Sequence, residues 1–223
     1  MDADLAFALS LADEADAIAL HRFRATDLSV ETKPDLTPVS EADSAVEARL
    51  RERIADERPG ESVLGEEGGG EDADGWVIDP IDGTRNYTRG IPVWATLIAF
   101  ADRVAVVSAP ALGRRWWAAR SGGAYANGAR IAVSGIERLA DATLLYALDR
   151  PVPARAFEAW HVRGFGDFWA HMLVAEGAAE VAVDANGLAV WDTAAIRVVV
   201  EEAGGRFDDP VSSNGRLDVS GLL

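Results

Sequence analysis

The residues of this 223-residue chain that could do chemistry are mostly acids in distinctive settings. Glu66 and Glu67 follow Gly65 in "SVLGEEGGG", Asp79 and Asp82 bracket a proline in "GWVIDPIDGT", Asp192 stands in "AVWDTAA", and Asp43 lies three residues after Ser40. An apolar strand running into closely spaced carboxylates is unfavourable unless something cationic sits there. Pro80 pushes Asp79 into extended backbone and fixes the next turn. Gly83 lets the backbone approach a ligand closely, and Thr84 can open a helix whose free amides favour an anion. Carboxylates beside an anion cradle make sense when divalent cations lie between them. With no cysteine and three histidines, such a cation is hard and oxygen-liganded: Mg, Mn or Ca. Each acid also has a plain structural explanation. Asp82 and Asp192 can cap helices, Asp43 has capping-box spacing from Ser40, and Glu66 and Glu67 can be solvated in a glycine loop. Spacing alone does not make the acids converge.

Thirty-seven acids against 21 Lys and Arg give a formal charge of −16. Such a field disfavours nucleic acid and anionic membrane as partners. It also repels a phosphate ester, unless metal ions reverse the local sign. No window approaches the length of a membrane span, and the N-terminal "MDADLAFALSLADEAD" is acidic and helical in pattern. These features lead to the expectation of a soluble, cytoplasmic protein.

The elements that must position the acids follow from periodicity. A helix is predicted over residues 3 to 24, with Leu5, Leu9, Ala12, Ala19 and Phe23 on one face. "TKPDLTPVS" is a loop or short hairpin. Ser40 opens a second helix with Val46, Leu50 and Ile54 buried, ending before Pro59-Gly60. Strands are expected at 76–79, 93–100 and 103–109, a hairpin at Asn127-Gly128, and further strands near 143–147, 161–164 and 179–183. Helices are expected at 167–177 and 192–203, the latter stopped by Gly204-Gly205. The fold class is α/β in layers, with mixed sheets rather than a doubly wound one. The length admits one large domain or two modest ones. We expect a single unit over 1–223, in which residues 136–223 complete a site begun in 1–135.

"GEE", "WVIDPIDGT" and "WDTA", in this order and separation, resemble the metal-binding signatures of the inositol monophosphatase family of Mg-dependent, lithium-sensitive phosphatases. The resemblance runs from the first helix to "EEAGGRF". It implies an αβαβα layered sandwich with largely antiparallel mixed sheets, usually as a homodimer. It also implies roles. Glu66, Asp79 and the Ile81 carbonyl would hold a first Mg ion, Asp79, Asp82 and Asp192 a second, and Glu66 with water a weaker third; Mn could substitute. Asp43 and Thr84 would orient the attacking water, and Gly83 and Thr84 would offer amides to the phosphate. Two Mg ions neutralise phosphate charge, acidify a water and stabilise the leaving alkoxide, so no protein nucleophile is needed.

The strings "TKPDLTPVSEAD", "IPVWATLIAF", "VVSAPALGRRWWAAR" and "GFGDFWAHMLVAEG" look like the family's histidinol-phosphate phosphatase branch. The expected reaction is therefore hydrolysis of L-histidinol phosphate to L-histidinol and phosphate, a small-molecule ester of histidine biosynthesis. Alternatives are inositol 1-phosphate or another small monoester, and a non-catalytic metal-binding homologue. An ammonium and an imidazole want a carboxylate and a flat apolar wall, which Asp167 and Trp94 or Trp169 would supply. The structural explanations are a helix cap for Asp167 and core packing for the tryptophans. Relatives carry a substrate-contacting Glu seven residues before the "WD" aspartate. Here Ala185 stands in that position with Asp184 one residue earlier, so either Asp184 serves or the contact is missing. The chain is also trimmed between 146 and 157 and after "GGRFDD".

Overall fold

A computed structural model describes residues 2–34, 36–70, 74–147, 151–184 and 188–222. Helix α1 (Ala3–Arg22) is capped by the Asp2 side chain, which accepts from the Asp4 and Leu5 amides. Strands β1 (Val30–Thr32) and β2 (Pro38–Ser40) pair antiparallel, so the proline-rich segment is a short hairpin. Helix α2 (Glu41–Glu57) starts at a true capping box between Ser40 and Asp43.

The next elements, β3 (Val63–Gly65), β4 (Trp76–Asp82), β5 (Ala95–Phe100), β6 (Val104–Ala109), β7 (Arg114–Ala119), β8 (Gly123–Ala126) and β9 (Ala129–Ile131), form one seven-stranded sheet in sequence order. Only its β3–β4 pair is parallel. Helix α3 (Thr84–Thr88) is a single short turn between β4 and β5. A second, five-stranded sheet has the order β11 (His161–Arg163), β10 (Thr143–Tyr146), β12 (Val181–Val183), β14 (Val211–Ser213), β13 (Arg206–Asp208). Helices α4 (Asp167–Ala175) and α5 (Val190–Glu202) lie between the sheets.

The pleat explains the layering. Trp76, Ile78, Ile98, Val104 and Val106 point to one face of the seven-stranded sheet and pack on α1 and α2. Val77, Leu97, Ala99, Ala105 and Val107 point to the other and pack on α4 and α5 through Phe168, Met172, Ile196 and Val199. The opposite side of α4 sends Ala170 and Val174 against Leu145 and Ala182 of the second sheet. The far face of that sheet is covered by the 3-10 turns Leu139–Asp141 and Ala154–Glu158 and by Leu217 and Leu222. The α/β class and the mixed, largely antiparallel sheets agree with the expectation, and the outermost layer is thin.

Boundaries moved slightly. The strand expected from residue 93 begins at Ala95, because Val93 and Trp94 belong to the turn after α3. Helix α5 begins two residues before Asp192, and Gly204 beyond its end takes a φ of +89°. Strands β3, β7, β13 and β14 are not among the expected elements.

Candidate active site

Strand β4 is where the chain solves its geometric problem. Residues three apart on a regular strand face opposite sides, so Asp79 and Asp82 should diverge. They do not, because the pairing of β4 with β5 shifts register between Asp79↔Leu97 and Asp82↔Ala95. Pro80 has no amide to lose, and the Ile81 amide turns to donate to the Asp79 carboxylate at 2.9 Å. This bulge re-aims both acids into one cavity.

Neighbouring elements bring the others. The parallel pair Gly65↔Ile78 sets Glu66 next to Asp79. Asp192, in the first turn of α5, accepts the Ala189 amide at 2.7 Å. One oxygen from each of Asp79, Asp82 and Asp192 lies within 4.8 Å of the other two. The cavity, about 330 Å³, is lined by these three with Glu66, Ile81, Gly83, Thr84, Asp167 and others. Asp82 also accepts the Phe168 amide at 2.7 Å, tying the end of β4 to the start of α4. Gly83 takes a φ of +83°, and its carbonyl accepts the Asn86 and Tyr87 amides to close α3. A Cβ there would also crowd the Val93 carbonyl, so glycine is required twice over.

The electrostatics are unfavourable for carboxylates alone. Burial first, then the charges of Glu66, Asp82 and Asp192, push Asp79 well above the usual range. Burial and the charges of Asp167 and Asp192 do the same to Asp82. Asp192 is pushed up to about 6, chiefly by burial, against the opposing Ala189 amide. An all-oxygen donor set, clustered and mutually repelling, fits a hard divalent cation. Asp43 lines no part of this cavity. It is 0% exposed, accepts from the Ser40 amide and hydroxyl at 2.8 and 2.5 Å, and is raised by burial. The Thr84 hydroxyl stands 3.2 Å from it and 2.9 Å from the Ile81 carbonyl, a donor with two acceptors in reach.

With this arrangement in view, comparison with known proteins is decisive. A sequence model of the inositol monophosphatase family matches residues 1–220. The chain belongs to that family. It is similar to a histidinol-phosphatase of Mycobacterium tuberculosis, 49% identical over 92% of this chain and 86% of that one. A histidinol-phosphatase of Streptomyces coelicolor is 45% identical over 96% and 93%. Among solved structures, an extragenic suppressor protein of Bartonella henselae superposes with a TM-score of 0.85 at 26% identity, covering 96% of this chain and 95% of that one. No described helix is long and apolar enough to cross a membrane.

In this family member the other expected positions fall into place unevenly. Asp167 does face the cavity, exposed, at the first position of α4 with Gly166 as the cap. Its φ of +54° is a strained value for a residue with a Cβ. Asp184 lines a small adjoining recess of about 120 Å³ with Asp82, Asp167 and Asp192. It is 5% exposed, and its carboxylate lies 3.4 Å from His171 Nε2, whose Nδ1 is 2.6 Å from the Ser212 hydroxyl. Ala185 lies outside the described residues, as do 148–150 of the trimmed segment.

Trp94 corrects the expectation of an aromatic wall: it is 0% exposed, packed edge-on to Tyr87 at 5.0 Å and against Phe23 at 5.4 Å in the core under α1. Its place before β5 turns the ring inward. Trp169 packs partly buried against Trp116, at 6.0 Å, and is not among the residues lining the cavity.

Two supporting residues escaped the sequence reading. Buried Glu47 accepts the Glu67 and Gly68 amides, both at 2.7 Å, and pairs with Arg51, so it shapes the "GEE" loop from α2. A Cβ at Gly65 would run into its carboxylate. The signal was an acid one helical turn after Asp43 on a buried stripe. Lys33, in the β1–β2 turn, stands 2.8 Å from Glu66 and 2.6 Å from Glu67. Those carboxylates outweigh its burial and raise its affinity for the proton. It is the only lysine in the sequence.

Proposed function

We propose that the chain hydrolyses L-histidinol phosphate to histidinol and phosphate, with Mg as its cation and Mn as a substitute. The observation that carries this is the convergence of Asp79, Asp82 and Asp192 from two distant motifs, in a chain 49% and 45% identical to two histidinol-phosphatases. Glu66, Asp79, the Ile81 carbonyl, Asp82 and Asp192 would hold the cations. When bound, these supply charge neutralisation for the phosphate and acidify a water. The chain's own groups then do the rest. Gly83 and Thr84 present amides at the start of α3 to the phosphate oxygens. The Thr84 hydroxyl positions the attacking water, and Asp43 behind it accepts the proton. A cavity of about 330 Å³ suits a small monoester.

For the alcohol, Asp167 and Asp184 offer carboxylates to the ammonium and imidazole of histidinol, without Trp94. A second reading, the same chemistry on inositol 1-phosphate, is favoured by the family match and by the absence of an aromatic among the residues lining the cavity. Initial rates on histidinol phosphate, inositol 1-phosphate and a neutral aryl phosphate, with Mg and with Mn, separate the two. Equal turnover of the first two, or preference for the inositol ester, overturns the histidinol assignment. The homodimer is part of the same proposal, and light scattering that returns a 23.7 kDa monomer removes it.

A further inference from the structure

Next to the carboxylate cavity lies a larger one of about 590 Å³, lined by Val30, Pro38, Arg85, Thr88 and Arg89. The two share Pro38 and Arg85. None of the described residues lining the larger cavity is an acid, although the chain carries 37 acids against 21 bases. Arg85 lies in α3 and Arg89 caps its C-terminal end, four residues apart and therefore on one face. Both are exposed.

Many of the other described arginines pair with carboxylates, whereas Arg24, Arg130, Arg163 and Arg197 do not. Arg49 pairs with Glu14 and Glu52, Arg115 with Asp13 and Asp16, and Arg120 with Asp102 and Glu201. Among the described residues, Arg85 and Arg89 have no carboxylate within ion-pair distance. Just beyond Arg89, the Arg24 guanidinium donates to the Gly90 carbonyl at 2.9 and 2.8 Å, adding a third positive charge at the same end of α3. What sets Arg85 and Arg89 apart is that two guanidinium groups without an ion pair line the same cavity. Two that remain unpaired, at the mouth of an acid-lined cavity, leave their donors open to an anion from solution.

We propose that Arg85, Thr88 and Arg89 form an anion-docking groove that holds a phosphate dianion beside the carboxylate cavity, on its way in or out. This rests on the phosphatase reading for the identity of the anion, and it adds a binding step that the reading lacks. Guanidinium forks match phosphate oxygens, and a locally positive strip lets an anion cross a field that otherwise repels it. The sharing of Arg85 between the two cavities makes transfer a short step.

The test is a calorimetric titration of inorganic phosphate into the full-length, Mg-supplemented protein at about 0.02 M and about 0.5 M ionic strength, where screening is weak and strong respectively. R85Q/R89Q is expected to weaken phosphate binding about tenfold or more at low salt, and the deficit should fade at high salt. R85K/R89K keeps both charges but loses the bidentate forks, so it should bind between the wild type and R85Q/R89Q. R130Q removes one charge from exposed β9, away from both cavities, and should leave binding unchanged. Equal binding by wild type and R85Q/R89Q at low salt overturns the groove, as does a loss in R130Q matching that in R85Q/R89Q. No turnover of histidinol phosphate in a parallel assay would sink the substrate assignment and leave the titration to decide this one.

Discussion

On the strand side of the cavity, Asp79 and Asp82 end a buried seven-residue strand and each accepts a backbone amide, at 2.9 and 2.7 Å. On the helix side, Asp167 stands exposed at a φ of +54°, and Asp184 leans on His171 at a long 3.4 Å. The strand side concentrates negative charge in a rigid frame, which suits an ion of fixed radius. The helix side presents one carboxylate exposed on a helix end and one buried just beyond the end of a strand. On the proposed function, reaction falls to the strand side and choice of alcohol to the helix side.

The largest expected effect lies on the strand side. Asp82→Asn should lower kcat by about a thousandfold or more, because a metal ligand supplies several kcal/mol of transition-state stabilisation. Circular dichroism should show a folded protein, and a near-wild-type rate would erase the distinction between the two sides.

Next comes stability without metal. Asp79, Asp82 and Asp192 have folded-state pKa values above their unfolded ones, so the folded chain binds more protons and stability falls as pH rises. For Asp192 the window runs from 3.8 to about 6. With its partial exposure discounted, the loss from this residue is roughly 2 kcal/mol. Thermal melts of chelator-treated protein should show a lower midpoint at pH 7 than at pH 5, and added Mg should raise it more at pH 7. A midpoint that rises with pH would contradict the cluster's repulsion.

On the helix side effects should be smaller and selective. Asp167→Asn should raise KM for histidinol phosphate about tenfold, the equivalent of about 1.4 kcal/mol, and change a neutral aryl ester little. An equal change on both removes Asp167 from the alcohol pocket. Smallest of all, Trp94→Phe should lower stability by about 1 kcal/mol through lost packing and leave KM untouched. A KM change specific to histidinol phosphate would return Trp94 to the site.

Much of the strand side was legible in the sequence because its signals are local. Pro80, Gly83 and the apolar run before Asp79 dictate backbone geometry within a few residues. The helices were legible from periodicity and caps, as Ser40 and Gly204 illustrate. What stayed hidden depended on distant partners. Trp94 reads as a possible ligand wall until Phe23 and Tyr87 enclose it. Glu47 reads as a solvated helical acid until the "GEE" amides arrive from twenty residues away. The three-residue strands β13 and β14 bury a few residues each and owe their existence to the sheet they join.

One feature of the layering bears on how the molecule is made. Strands β3 to β9 occupy residues 63–131 in an almost unbroken meander, so their pairing needs only nearby chain. The face bearing Val77, Leu97, Ala105 and Val107 is nevertheless covered by Phe168, Ile196 and Val199. During synthesis, a sheet that has already paired must wait for Phe168 through Val199 to be made, with a broad apolar surface uncovered. That interval is when the nascent chain is most open to self-association, and a chaperone that delays it there would raise the yield of folded protein.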